Sequence, residues 1–410
     1  MRNPVSLRPR TQRLAPVLGK LILVAAAVAA VACAQESNYT QSNYTQDGAY
    51  WVRTFTLDAP AHTGLSVSAR AKIVLRGVPP TDGAQRIVYK LVQRVRARTE
   101  AEARRKMGEA VAVAGMAVTG DVTRVTVTPL AYGISSQVEL YVPRRTSVAY
   151  LESQGGDIEA YDFDGSVNAE TMFGQIRCDR IGGDVSGRTG GGRIQLGKIG
   201  GSVRCSTGAG SVSVESAGGE TNCATAGGDM LVQEAGGPLT LSTEGNIRIG
   251  KAASTVEAHS AAGIIEVGSA GGVVTADTRG GSIQVGSARG VKAESARGGV
   301  RIKTASGPMS VSTAAGSIVA ELLAGARLEN STLASGLGDI SVWIPSNVGV
   351  TVMVRNDSNG GAGIVSEFPG VRVQNGLFQS PIAAQGAING GGPMLFINAA
   401  SGMIYLRKAK

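Results

Sequence analysis

The sequence predicts an all-β protein: a parallel β-helix-like solenoid of about ten eighteen-residue coils, with β-rich N-terminal and C-terminal capping regions. Three observations carry this. First, 58 glycines, 4% aromatic residues and a 43% hydrophobic fraction rich in Ala, Val and Ile favour many short strands over long helices. Second, residues 148 to 325, written in rows that end at the recurring Gly-Gly corners, give ten units, eight of eighteen residues and two of seventeen. Third, the columns stay in step. Column six is hydroxylated from Ser153 and Thr171 to Thr313, column nine is glycine from Gly156 to Gly316, and column eleven is large and apolar from Ile158 to Ile318.

The chain opens with residues 1 to 34, which read as an export signal: Arg2, Arg8, Arg10, Arg13 and Lys20 precede the apolar run "LILVAAAVAAVA". That run is short for a membrane span and has signal-peptide flanks. Two readings of the cleavage site stay open. Ala30-Val31-Ala32-Cys33 approximates a lipoprotein box with Ala where Leu is usual, making Cys33 the lipidation candidate; an ordinary signal-peptidase site after Ala34 is the other. Residues 35 to 49, "QESNYTQSNYTQDGA" from Gln35, form a polar linker, and the Asn38 and Asn43 sequons are read as part of it. The formal charge of +9 includes five basic and no acidic side chains before residue 33, leaving 35 basic against 31 acidic, or +4. So weak a balance argues against nucleic acid as a partner.

Residues 50 to 147 are the N-terminal capping region, with the alternating runs "YWVRTFTLDA", "QRIVYKLVQRVRA" and "SSQVELYVP". One short helix is expected at "TEAEARRKMGEA", where Thr99 and Glu102 have capping-box spacing. Within each unit of the repeat, columns two, four and six alternate with polar residues, as do eleven and thirteen, so each coil holds two strands with one buried face. Glycine at columns nine and eighteen fits corners of positive φ. Like columns of successive coils stack at about 4.8 Å, and ten coils span on the order of 50 Å. Column six places a hydroxyl where it can bond the corner and the neighbouring coil. Residues 326 to 410 are the C-terminal capping region, where the period loosens and Asn375-Gly376 signals a hairpin.

The stretches "VELYVPRRTSVAYLESQGGDIEAYDFDG", "GLGDISVWIPSNVGVTVMV" and "GGGPMLFINAASGMIYLRK", with the recurring "GG-x-I-x-V" units, resemble the bacterial putative-adhesin family of β-strand-repeat envelope proteins, over roughly residues 50 to 410. The resemblance implies a parallel β-helix-like fold on the envelope side of a bacterium, in the periplasm, outer membrane or cell surface. The family's "adhesin" label stands by analogy and specifies no ligand.

Catalytic chemistry has little to build on, and neither a catalytic set, a metal site nor a cofactor is expected. His259, Asp277 and Glu294 share column five of three successive coils; a solvated polar row is favoured over a metal or acid-base site. Asp157, Glu159, Asp162, Asp164, Glu170 and Asp179 fall in the first two coils, and Asp162 and Asp164 are the carboxylates an enzyme acting on polysaccharide would use. A charged solvated face is favoured instead, because sugar clefts offer aromatic faces and the chain has only Trp51 and Trp343. Cys205 and Cys223 occupy column four of adjacent coils, within disulfide range, while Cys178 points inward from column thirteen.

The functional expectation is a non-catalytic envelope scaffold, exported or lipid-tethered, binding a surface, a polysaccharide or a protein, with membrane contact only through a lipid at Cys33. The alternative is a polysaccharide-degrading enzyme of the parallel β-helix type. A role in envelope-stress signalling has no discriminating residue.

Overall fold

The structure, a computed structural model, describes residues 39–41, 43–79, 86–108, 114–127, 133–323, 328–358, 363–374 and 382–409. The export segment, Cys33, Asn38, Asn375 and Gly376 lie outside the described residues. The chain divides into two units, Met1–Tyr39 and Thr40–Lys410, and every element below belongs to the second.

Each eighteen-residue unit forms one coil of two strands, as in Val203–Thr207 and Val212–Ala217. First strands pair only with first strands of neighbouring coils and second strands with second, in parallel, giving two long sheets that face each other. Register advances by one unit: Val185 pairs with Val203, which pairs with Thr221, so sequence columns become spatial rows. Columns two, four and six of the first strand are buried, and columns eleven and thirteen of the second. The second strand also buries a third residue at column sixteen, from Phe163, Ile181 and Ile199 to Ala305, after two successive outward residues; in the last unit the register shifts and Leu322 takes that place after one. One continuous apolar core runs from Leu65 to Leu406. Each fully buried Val, Ile or Leu contributes about 1.5–3 kcal/mol, against about 1 kcal/mol net for a hydrogen bond, so the apolar columns drive stacking.

Hydrogen bonds set the register. The column-six hydroxyl donates to the column-nine carbonyl of the preceding coil and accepts from the column-nine N–H of its own. Thr189 Oγ1 lies 2.9 Å from Gly174 O, and the Gly192 N–H donates to it at 3.1 Å. The same pair of bonds recurs at Thr171, Thr207, Thr225, Ser260, Thr278, Ser295 and Thr313. Column nine is glycine for a reason other than the expected one. Its residues do not have positive φ; a Cβ at Gly192 would instead fall 1.9 Å from Gly174 O of the coil before it. The corner is a close backbone approach, which only a residue without a side chain allows.

The stack continues beyond the repeats at both ends, in an order the chain does not follow. Gly64–Ala69 and Lys72–Val78 form a coil lying directly against Val148–Ser153 and Ile158–Phe163. Val122–Val127 and Ile134–Pro143 lie on its far side, although Pro143 is close to Val148 in sequence. At the other end, Met394–Ser401 and Ile404–Lys408 are interleaved between Ser331–Leu337 with Ile340–Ile344 and Val350–Asn356 with Ile364–Ser366. Antiparallel strands then close the sheets: Arg86–Arg96, Tyr50–Pro60 and Ala114–Thr119 at one end, Ile382–Ile388 and Val371–Gln374 at the other. The expected helix is Glu100–Gly108. The Glu102 N–H donates to Thr99 Oγ1 at 3.2 Å, and the reciprocal bond to Glu102 Oε2 comes from the Arg98 N–H at 3.0 Å, one residue before the expected donor.

Candidate functional site

At the N-terminal end, the outer face of the second-strand sheet is built by Arg86–Arg96, Ile134–Pro143, Lys72–Val78, Ile158–Phe163 and Ile176–Ile181, in that spatial order. Register places Tyr141 beside Arg76 and Arg76 beside Tyr161 in one outward row, with Glu139, Val74 and Glu159 in the next. Each tyrosine hydroxyl donates to the glutamate two residues before it, Tyr141 to Glu139 Oε2 at 3.3 Å and Tyr161 to Glu159 Oε2 at 3.2 Å. One cation stands over one face of each ring: the Arg76 guanidinium is 5.0 Å from the Tyr161 centroid and Lys90 Nζ is 5.0 Å from that of Tyr141, and both tyrosines stay partly exposed. Lys72 Nζ meets Glu159 Oε1 at 2.7 Å. Partial burial, and then the adjacent glutamate, push both phenols above their ordinary range. The two Tyr-Glu units stand two strands apart, about 10 Å.

Beside this row the backbone bends outward at Asp162 and Arg180, non-glycine residues with φ of 58° and 54°. Such a conformation costs of order 1–3 kcal/mol and is held by its surroundings. Arg180 grips Asp162 through Nε to Oδ1 at 2.6 Å and Nη2 to Oδ2 at 3.0 Å, and its Nη1 meets the Asp179 carboxylate. Arg144 Nη2 approaches Asp162 Oδ1 at 3.5 Å. The Arg180 hydrogen bonds, more than any other influence, hold the Asp162 carboxyl below the usual carboxylate range, and Arg180 is raised in turn. Solvent screens an exposed pair of this kind, so its contribution to stability is small and its main consequence is geometric. Arg144, Asp162, Asp164, Arg180 and Lys198 surround a shallow cavity of about 480 Å³, floored by Ile181, Gly182, Ile199 and Gly200. Asp164 and Lys198 line it, and among the described residues neither side chain has a hydrogen bond or ion pair; Arg144 Nε is shielded from solvent and likewise unpaired.

Of the six carboxylates of the first two coils, Asp162 and Asp164 line one cavity and Asp179 is joined to Asp162 through Arg180, while the others lie apart. Glu159, Asp162 and Asp179 share the face just described, and Asp164 sits at the corner after it. Asp157 caps the following coil, accepting from the Gln175 N–H at 2.8 Å, and Glu170 points out from the opposite sheet. His259, Asp277 and Glu294 do form one surface row through paired positions on adjacent strands. The His259 Nε2 bonds instead to Glu257 Oε1 at 3.1 Å, within its own strand. Among the described residues no cluster of three His, Cys, Asp or Glu side chains is placed to hold a metal. Cys205 and Cys223 form a disulfide with Cα atoms 4.5 Å apart. Cys178 is buried and free, and burial pushes its thiol up to about 12.

No family model and no curated protein matches the chain. Several solved structures align with it at very low similarity. A putative cell adhesion protein from Clostridium sporogenes covers 91% of this chain and all of its own at 9% identity and a TM-score of 0.15. A putative adhesin from Bacteroides fragilis covers 71% of this chain and 96% of its own at 13% identity and a TM-score of 0.19. One from Parabacteroides merdae covers 72% and 89% at 11% identity and a TM-score of 0.20. At these scores the likeness carries no argument about fold or function, which rest on this chain's own residues.

Weighing only Trp51 and Trp343 as aromatic faces overlooks Tyr141 and Tyr161. Their signal is the repeated Glu-x-Tyr of Glu139-Leu140-Tyr141 and Glu159-Ala160-Tyr161. Trp343 lies on the same outer face near the C-terminal end, 5.3 Å from the Arg407 guanidinium, which also covers Tyr405 at 4.9 Å. Trp51 belongs to the N-terminal cap, packed on Val95, Ala103 and Met107.

Proposed function

We propose that the protein is a non-catalytic interaction scaffold of a bacterial cell envelope, exported and either lipid-tethered through Cys33 or released, that holds a partner on the outer face of its coil stack in the manner of an adhesin. The observation that carries this reading is the state of Asp162. A general acid must hold a proton near neutral pH, whereas Asp162 is gripped by Arg180 at 2.6 and 3.0 Å and kept ionised. Asp164 lines the same cavity as Asp162, but the other carboxylates of the first coils are spread over two sheets and a further corner, which leaves an acid-base mechanism little to assemble. A stack whose backbone groups are paired coil to coil supplies a fixed, regular surface, which suits recognition.

The test mixes the purified protein with envelope polysaccharide and peptidoglycan fractions of the producing bacterium, following co-sedimentation and newly formed sugar ends together. Binding without new ends is the expected result. New ends that disappear in Asp162→Asn and Asp164→Asn would replace the scaffold by the polysaccharide-degrading enzyme.

A further inference from the structure

We infer that the charged, tyrosine-bearing face and the adjoining cavity form a binding site for an acidic polysaccharide, a chain of sugar rings carrying carboxylates. This rests on the scaffold reading and names the class of its partner. Three features of the site converge on that chemistry. Tyr141 and Tyr161 present partly exposed rings two strands apart, about 10 Å. That spacing matches the repeat of two sugar units in an extended chain, whereas an extended peptide repeats its side-chain pattern in about 7 Å. Aromatic rings stack on the apolar faces of pyranoses, and the phenol hydroxyls, tied to Glu139 and Glu159, fix the ring orientation. The cavity supplies the charge recognition. Lys198 and the incompletely paired Arg144 are cations without a full complement of protein acceptors, placed to bind a carboxylate, while Asp164 is a free acceptor for sugar hydroxyls.

The left-handed turns at Asp162 and Arg180 gain a role in this arrangement. The Arg180 grip holds two bent strands in register beside Tyr161 and leaves Arg144 Nη2 only a 3.5 Å contact to Asp162, so the Nη end of this partly exposed side chain, though not its shielded Nε, is open to a ligand. A chain lying across the strands passes from the Tyr141 ring over Arg76 to the Tyr161 ring, and its substituents reach the cavity at the sheet edge.

The experiment measures binding of the purified protein to polygalacturonate, with dextran as an uncharged sugar chain and polyglutamate as a carboxylate chain without sugar rings. Binding to polygalacturonate well above both controls is expected, weakening as salt rises from about 0.1 M to about 1 M. Lys198→Ala should lower affinity about tenfold, the loss of one charge-assisted contact, and the Tyr141→Ala/Tyr161→Ala pair by at least as much. Lys198→Arg should retain binding, and circular dichroism confirms that each variant folds. Equal binding of polyglutamate, or variants indistinguishable from the parent, would overturn the site. Envelope co-sedimentation separates the two claims. If envelope binding persists in the variants, the scaffold stands and this site falls; if the parent binds no envelope fraction, the scaffold reading fails first. Envelope binding abolished by protease treatment of the fraction would identify a protein partner and also overturn the proposal.

Discussion

The hydroxyl of Thr207 takes part in two hydrogen bonds that valine, its isostere, makes neither of: it donates to Gly192 O at 2.9 Å and accepts from the Gly210 N–H at 3.1 Å. Thr207 is 4% exposed, so water cannot replace it. Each buried backbone group left unpaired costs about 1–3 kcal/mol, enough to decide between an open and a closed corner. Thr207→Val should therefore speed hydrogen exchange at the Gly210 amide by at least about tenfold while leaving Gly316 unchanged. Equal exchange would show that the ladder merely accompanies the stack. Asp162 makes a different prediction, because its folded carboxyl titrates below the ordinary value. Such a group adds stability above its unfolded pKa of about 4, and loses it as pH falls through the lower folded value. The thermal stability of Asp162→Asn should accordingly trail the parent at neutral pH and converge with it in acid. A gap that persists unchanged through acid titration of the carboxylates would mean the grip by Arg180 is not the source.

At the scale of one coil, the disulfide between Cys205 and Cys223 joins adjacent first strands eighteen residues apart, where the parallel ladder already pairs the two positions. Closing a loop of that length in the unfolded chain stabilises by about 3 kcal/mol, so Cys205→Ser/Cys223→Ser should lose up to that much, read from urea unfolding of the oxidised parent against the variant. No loss would mean that neighbouring coils keep the unfolded ends together. The coil also shows how much the sequence discloses. Columns two, four, six, eleven and thirteen are legible because alternation is a local signal, and the eighteen-residue period sets which of them stack. Column sixteen is not, since two outward residues such as Asp179 and Arg180 interrupt the alternation before Ile181 turns inward. Column nine is legible as glycine but not for its cause, because the carbonyl it would strike belongs to the previous coil. The same distinction runs through the site. Asp162 and Asp164 are visible as an acidic stretch, while Arg144 and Tyr141 join them only through the insertion of Lys72–Val78 between two strands that are close in sequence.

For the whole stack, the decisive feature is that neither end is closed by the coil nearest to it in sequence. At the C-terminal end Met394–Lys408 is laddered to Ser331–Ile344 on one side and to Val350–Ser366 on the other, so the last segment of the chain locks two coils that precede it. In a linear array each coil depends on its neighbours, and a bare end frays inward or pairs with another chain. A chain shortened to residue 390 loses the interleaved coil while keeping the antiparallel pair of Val350–Asn356 with Ile382–Ile388. That pair then has no parallel neighbour, and Ser331–Leu337 presents an open edge. Two consequences are expected: amides of Ser331–Leu337 and Val350–Asn356 lose exchange protection while those of Val203–Thr207 keep theirs, and the shortened chain self-associates in sedimentation velocity where the parent sediments unchanged with concentration. Retained protection at Ser331–Leu337 in a non-associating shortened chain would show that a single antiparallel pair suffices as a cap, and that interleaving serves the path of the chain rather than the closure of its sheets.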